Sequence, residues 1–274
     1  MASERGNRSD DRTSDDTIDL TGDGTDDRRL ATIRSLLAKA EATEFPEEAE
    51  AFFNKASELI ARYSVDEALL WATVSRGREQ PSELRLVVHA PYVAQKSVLV
   101  ARVASAHGCR AIRFGSGSAR GGEIVAVVGF PTDLRWVETL VTSLLVQLTA
   151  AMLAGCPRGL SSAQSAGWRR SFIIGFGEEV GARLQADREV AAREADATTR
   201  TSRGGDRSGH SVSLVLVERS EEVRDEFRKR FPYTQSTRAS TGGSRAGHHA
   251  GRAAGRDAAL TRDSVGGRRS LPRG

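Results

Sequence analysis

The stretch IRSLLAKAEATEFPEEAEAFFNKASELIARYSVDEALL, residues 33–70, decides the N-terminal part of the fold. Apolar residues recur in it at intervals of three and four, the spacing that puts side chains on one face of an α-helix. Two such faces precede and follow Pro46, a residue favoured at the start of a helix. Their members are Leu30, Ile33, Leu37 and Ala40, then Ala49, Phe52, Phe53, Ala56, Leu59, Ile60 and Tyr63. The pattern predicts a helical hairpin over residues 28–75, with a short third helix from Asp66 to about Ser75. Its apolar faces must pack on the rest of the chain or on a partner.

Beyond the hairpin, short apolar runs alternate with helical patterns. We expect strands at residues 84–88, 109–114, 123–130 and 211–217. Helices are expected at 92–107, from Thr132 onward, from Trp168 to about Ala195 and at 220–230, where Ser220 is placed to cap the last one. This order predicts an α+β domain over residues 82–232, built from a small mixed β-sheet with helices packed on one face.

The two ends of the chain carry opposite charge. Residues 1–27 hold nine Asp and Glu against three Arg, and residues 228–274 hold eleven Lys and Arg against two Asp, so the net charges are −6 and +9. Neither end has a periodic apolar face, which predicts flexible termini: a disordered acidic head at 1–27 and a Gly- and Arg-rich basic tail at 233–274, partly helical. Only four of the forty basic residues are Lys, a bias also typical of GC-rich genomes.

Two helices and their connection carry a family resemblance. The segment 33–70 resembles the bacterial and phage family called domain of unknown function 2786. The matching positions are Ile33, Arg34, Leu36, Leu37, Ala38, Ala40, Glu41, Glu48, Ala49, Ala51, Lys55, Ala56, Glu58, Leu59, Tyr63, Val65 and Asp66. The stretches WRRSFIIGFGEEVGARL and HAGRAAGRDAAL look like the larger companion domain that often follows this hairpin. The resemblance implies neither an activity nor catalytic residues.

The sequence favours a cytoplasmic protein. Its two cysteines form no disulfide framework or CxxC pattern, and its first residues lack the apolar core of a signal peptide. The charge-free stretch 139–157 is the only transmembrane candidate, and its polar interruptions and helical spacing predict a buried helix instead. We expect no membrane association.

Several groups of residues are candidates for binding. Arg34 and Arg62 lie beside the apolar faces of the hairpin, either as a recognition surface or as solvated ion-paired residues. Arg252 and Arg256 follow the glycines at 247, 251 and 255, whose four-residue spacing predicts either a flexible tail or a helix ridge that another backbone can approach closely. On that ridge the two arginines are candidates for holding a phosphate.

Motifs for chemistry are weak. The loop 115–122 is Gly-rich but precedes a strand and lacks a P-loop ending, so a hairpin loop is favoured over a phosphate cradle. His107 and Cys109 would need two further ligands to bind zinc. We therefore expect neither a metal site nor a cofactor.

These observations leave two function classes open. The first is a non-catalytic intracellular binding or interaction protein, whose hairpin is the interaction module and whose basic tail contacts nucleic acid or an acidic protein. The alternative is a hydrolase or nuclease of unrecognised type, with a site between the sheet and the Gly-rich C-terminal segment.

We predict that any nucleic-acid binding through the tail is weak, independent of sequence and sensitive to salt. The arginines after the last predicted helix are widely spaced, and no aromatic residue follows Tyr233 to stack on bases. With about four to six phosphate contacts, log affinity for duplex DNA should fall against log salt with a slope of roughly −4 to −5. A salt titration of DNA binding by the full chain measures this slope. Absence of binding at low salt would contradict the prediction.

Overall fold

The structure is a computed structural model that describes residues 21–43, 45–72, 79–114, 122–202, 211–235 and 239–258. Most of the predicted acidic head and the last part of the predicted basic tail lie outside these residues.

The predicted α+β class is confirmed, in a mostly helical protein with one small sheet. The elements in chain order are α1 (Thr21–Ala42), α2 (Pro46–Leu70), β1 (Ser82–His89), α3 (Val93–Ala106), β2 (Arg110–Arg113), β3 (Gly122–Gly129), α4 (Pro131–Gly155), α5 (Ser162–Ser202), α6 (Val212–Arg230) and α7 (Arg245–Arg256).

The sheet has the order β1-β3-β2, and β3 pairs antiparallel with both neighbours. It is therefore antiparallel, and the prediction of a mixed sheet was wrong. Side chains of β3 alternate between two cores: Val125 and Val127 pack with α3 and α4, whereas Val128 and the following Phe130 pack with Trp71 and α6. Helices thus cover both faces of the sheet rather than the one face predicted.

The predicted strand at 211–217 is wrong, because these residues form the first two turns of α6. The alternating letters SVSLVLV suit a strand, but Val212, Val215 and Val223 are buried at helical spacing. The start of the helix is held by Asp196 on α5, whose carboxylate accepts hydrogen bonds from the Val212 amide (2.6 Å) and the Ser213 hydroxyl (3.1 Å). A carboxylate at this end of a helix satisfies its free amides and its positive dipole.

Ser220 does not cap a helix, as the sequence suggested. It lies within α6 and donates its hydroxyl hydrogen bond to the carbonyl of Leu216 at 2.8 Å.

The hairpin packs into the main core of the protein. Leu37 and Phe53 are buried in the same cluster as Leu99, Leu144 and Phe176 of α3, α4 and α5. Helix α1 begins at Thr21, within the segment predicted as a disordered head, and α2 runs unbroken through Asp66 to Leu70, so the predicted separate third helix is the end of α2.

Helix α4 is long and apolar enough, by length and composition alone, to cross a membrane. In this fold Trp136, Leu140, Leu144 and Leu148 of that helix are fully buried in the core. Its exposed face carries Val146, which is 59% exposed.

A buried cation joins α6 to the start of α4. Arg219 is only 3% exposed and donates a hydrogen bond to Asp133 at 3.0 Å, while its guanidinium carbon lies 3.8 Å from the centre of the Phe130 ring. The carboxylate of Glu79 lies 4.0 Å from Nη1 of Arg219, and burial raises the pKa of Glu79 above its ordinary value. Removing either partner of such a pair leaves an uncompensated charge in the core, so Arg219 and Asp133 hold these elements together.

Helix α7 lies backbone to backbone on α5. A Cβ atom at Gly247 or Gly251 would overlap the carbonyl oxygen of Trp168 or Phe172, and one at Gly255 would lie 2.9 Å from that of Phe176. Glycine every fourth residue therefore matches a carbonyl every fourth residue on α5. The sequence left a flexible tail and a close-packed ridge open for this segment, and the contact with α5 shows the ridge.

We predict that Gly251→Ala destabilises the protein. In an open helix interior the change stabilises by about 1 kcal/mol. Here the new methyl group would overlap Phe172 and force α7 away from α5, and we expect a loss of about 1–3 kcal/mol in the free energy of unfolding. Urea unfolding of the variant measures the sign directly.

Gly155→Ala is the matched control, because a Cβ atom there would meet only ordinary contacts, the nearest at 3.5 Å. Equal stabilisation of both variants would contradict the close α5–α7 contact.

Candidate functional site

A cleft of about 640 Å³ opens between the end of α3, the middle of α5 and the first half of α6. Four arginines from three different elements line it. They are Arg110 on β2, Arg188 and Arg193 on α5, and Arg224 on α6. We call it the arginine cleft. A smaller cavity of about 400 Å³ shares Gly108, Arg110 and Ser220 with it and extends to Phe227.

Gly108 allows two polar side chains to meet at one point of the cleft. Its φ is +72°, a conformation that favours glycine. A Cβ atom on it would lie 3.0 Å from both Nη atoms of Arg188 and 3.2 Å from the Ser220 hydroxyl. Arg188 is also held at the end of α3, because its Nη1 donates a hydrogen bond to the Ala106 carbonyl at 2.9 Å. This bond fixes the guanidinium, and its Nη2 makes no hydrogen bond to the described residues.

The other arginines of the cleft are less constrained. Arg110 and Arg193 are exposed, and none of the carboxylates that the structure describes forms an ion pair with either. Arg224 pairs with Glu221 at 3.3 Å, but its Nε is buried without a hydrogen-bond partner in the described part of the chain. With Glu189 also on the lining, four positive side chains face two negative ones, and the cleft attracts anions.

One wall of the cleft is apolar. Ala192 on α5 and Leu216 and Val217 on α6 line it, and Val217 is 53% exposed. A ligand with an uncharged body would gain free energy by covering this wall.

The arginines that the sequence singled out on the hairpin lie elsewhere. Arg34 is exposed beside a cavity of about 420 Å³ between α1 and α4, which Glu41 and Glu138 also line. Arg62 pairs with Glu58 at 3.0 Å and with Glu194 of α5 at 3.5 Å. Arg62 thus takes part in surface ion pairs, which leaves Arg34 as the unpaired one of the two among the described residues.

Arg252 and Arg256 take part in the packing of α7 on α5. Arg252 donates to Glu179 from Nε (2.8 Å) and Nη2 (2.7 Å), and Arg256 approaches the same carboxylate at 3.7 Å. His248 of the same helix meets Glu178 at 2.9 Å. The structure therefore does not bring Arg34, Arg62, Arg252 and Arg256 together, and the last two have a carboxylate partner in place of a phosphate.

The remaining candidates from the sequence are the Gly-rich loop, Cys109 and a metal site. Residues 115–121 of the Gly-rich loop lie outside the described residues, while the flanking strands β2 and β3 pair antiparallel as predicted for a hairpin. Cys109 is buried, and desolvation raises the pKa of its thiol well above the ordinary value, which disfavours the reactive thiolate. Within the described ranges, no group of three His, Cys, Asp or Glu converges on a point that could hold a metal ion.

The four arginines of the cleft were missed by sequence reasoning. They are spread from residue 110 to residue 224, and each stands among other arginines in an Arg-rich chain. No local motif marks them. Only the folding of α6 against α5 and β2 brings them to one cavity.

His107, next to the cleft, generates a pH-dependent prediction. The ring is buried, and neither nitrogen has a hydrogen-bond partner in the part of the chain described. Desolvation, together with the charge of Arg188 and against that of Asp133, lowers its pKa from 6.5 to about 4. Between pH 6.5 and pH 4 the imidazole is protonated in the unfolded chain but neutral in the folded protein. Protonation therefore favours the unfolded chain, and the free energy of unfolding falls as the pH is lowered from 6.5 to about 4.

We expect protonation of this histidine to lower the free energy of unfolding by about 3 kcal/mol between pH 6.5 and pH 4. His107→Leu should remove this part of the pH dependence and be neutral or stabilising at pH 5, because it removes unpaired buried polar atoms. Unfolding free energies between pH 4 and 7 measure it, with His89→Leu as the exposed control. An unchanged slope in His107→Leu would contradict the assignment.

Comparison with known proteins adds one match. No curated protein and no solved structure is significantly similar to this chain. Residues 28–67 match the sequence model of one family, and the match does not extend over the expected companion domain. The matched residues are the last two thirds of α1 and nearly all of α2, the hairpin that carried the resemblance. The predicted resemblance is confirmed: the helical hairpin of this protein matches the family described as "Protein of unknown function (DUF2786)".

Proposed function

We propose that this protein is a non-catalytic binding protein and that it holds a phosphate-bearing ligand in the arginine cleft. One observation carries the proposal: four arginines from β2, α5 and α6 line a single cavity. Elsewhere on the surface, Arg62 pairs with Glu58 and Arg252 pairs with Glu179. In the cleft the arginines outnumber the carboxylates two to one.

The chemistry of guanidinium fits this ligand class. A guanidinium presents fixed N–H donors that match phosphate oxygens, and such charge-assisted hydrogen bonds are stronger than neutral ones. Arg188 is already held by its hydrogen bond to the Ala106 carbonyl, so it loses less freedom on binding than an unpaired side chain would. Arg110 and Arg193 are exposed and can turn toward the anion.

The basic tail remains a separate proposal. We propose that it makes weak contact with nucleic acid or an acidic protein through arginines beyond residue 258, since Arg252 and Arg256 already pair with Glu179. A cytoplasmic location, as the sequence favours, fits both roles.

The hydrolase or nuclease alternative was placed between the sheet and the Gly-rich C-terminal segment. In the fold that segment is α7, and it packs on α5 through Gly247 and Gly251 rather than on the sheet. The described residues give this alternative no observation of its own.

We predict that neutralising two cleft arginines weakens anion binding strongly. Arg110 and Arg224 are chosen, because Arg188 also supports the end of α3 and its loss would affect folding. Each lost charge-assisted hydrogen bond removes about 1.5–3 kcal/mol, so Arg110→Gln/Arg224→Gln should bind tripolyphosphate at least about tenfold more weakly than the natural chain. Isothermal titration calorimetry at fixed salt measures the affinities.

The matched control is Arg28→Gln/Arg158→Gln, which removes the same charge from exposed positions away from the cleft lining. Its affinity should change by less than about threefold, because distant charges are screened at physiological salt. Equal losses in both double variants would show a diffuse field and overturn the proposal, as would the absence of tripolyphosphate binding by the natural chain.

A further inference from the structure

We infer that the arginine cleft takes a small molecule carrying one phosphate group, of the size of a nucleoside monophosphate, rather than a strand of nucleic acid. This inference rests on the binding function proposed above. It follows from the size of the cavity, from its two acidic side chains and from its apolar wall.

The size of the cleft suits a small ligand. Its volume of about 640 Å³ lies within the range of roughly 300–1,000 Å³ that is usual for small-molecule sites. A strand of nucleic acid needs instead an extended positive groove that follows several phosphates. Here the four arginines surround one cavity, so the positive charge is local.

The acidic residues of the lining limit the number of phosphates. Glu189 lies one residue from Arg188 on α5, and Glu221 lies three residues from Arg224 on α6. A second phosphate close to either carboxylate would gain less from the arginines than the first one, because the carboxylate repels it. The same carboxylates accept hydrogen bonds from hydroxyl or amino groups, which a sugar or a base supplies.

The hydrogen-bond donors in the cleft come mainly from arginine. The hydroxyl of Ser213 already donates to Asp196, and that of Ser220 donates to the Leu216 carbonyl. Among the described residues, Nη2 of Arg188 and the exposed guanidiniums of Arg110 and Arg193 are lining donors without a hydrogen-bond partner. A phosphate has three terminal oxygens and can accept from more than one such group.

The apolar wall of the cleft can pack against the uncharged part of the ligand. Ala192, Leu216 and Val217 present aliphatic carbon to the cleft, and no aromatic ring is among the described residues that line it. Without aromatic rings, stacking of successive single-stranded bases is not provided for. An aliphatic wall suits one face of a single sugar or base.

The experiment compares phosphorylated and unphosphorylated probes by isothermal titration calorimetry on the full chain. The probes are AMP and ribose 5-phosphate, each beside adenosine or ribose, with tripolyphosphate and a labelled single-stranded 15-mer as the other anions. We expect the two monophosphates to bind at least about tenfold more tightly than their unphosphorylated partners, since one charge-assisted contact contributes about that much. The gain should be lost in Arg110→Gln/Arg224→Gln.

A second variant tests the apolar wall. Val217→Ser removes exposed aliphatic surface from the cleft without touching an arginine, and it should weaken AMP by about fivefold while leaving tripolyphosphate unchanged. Val146→Ser is the control, because that valine is 59% exposed on α4, away from the cleft. It should change neither affinity.

The outcomes separate this inference from the proposed function. If tripolyphosphate or the 15-mer binds through Arg110 and Arg224 but AMP and ribose 5-phosphate do not, the small-molecule inference is overturned and the binding function stands. If no anion depends on these arginines, both are overturned. Equal effects of Val217→Ser on AMP and tripolyphosphate would also overturn the inference, since the wall would then not contact the organic part.

Discussion

Helix α5 touches two other helices at backbone distance, and the rest of the fold depends on that contact. Gly247, Gly251 and Gly255 let α7 rest on the carbonyl oxygens of α5 on one side. Gly177 and Gly181 of α5 let α3 approach on another, where a Cβ atom would come within 3.3 Å of the Leu99 Cα and 3.0 Å of the Arg102 Cβ. Because an added methyl group at these glycines would push the helices apart, the glycines set the distances between α5 and α7 and between α5 and α3.

Once α5 is placed, its polar residues position the neighbouring helices. Arg183 donates from Nη1 to the carbonyls of Gly255 (2.7 Å) and Arg256 (2.6 Å), and so satisfies the C-terminal end of α7. Asp196, thirteen residues later, holds the N-terminal end of α6, and Asp187 accepts a hydrogen bond from Ser57 of the hairpin. Arg188 lies between them and reaches the end of α3. The cleft is thus framed by the same helix that organises the core.

Arginine has two different roles in this protein, and burial separates them. Arg219 is enclosed by Asp133 and the Phe130 ring, so it stabilises the junction of α4 and α6 and is not accessible to a ligand. Arg110 and Arg193 carry the same charge at the surface of a cavity, where they are exposed to solvent. Exposed arginines that pair with a carboxylate, such as Arg252, contribute little to stability and lose their availability for ligands.

The sequence by itself determined the elements whose information is local. The two faces of the hairpin, the strands β1 to β3 and the helix α4 all follow from local periodicity, because residues on one face must be buried together. For α7 the glycine spacing left a flexible tail and a packed helix open, and the contact with α5 decided between them. The tertiary structure alone decided that residues 211–217 are helical, since their cap is Asp196 on another helix. It also decided the arginine cleft, whose members stand up to 114 residues apart, from 110 to 224. A site of that kind leaves no spacing in the chain, because its geometry exists only after α5, α6 and the sheet have packed.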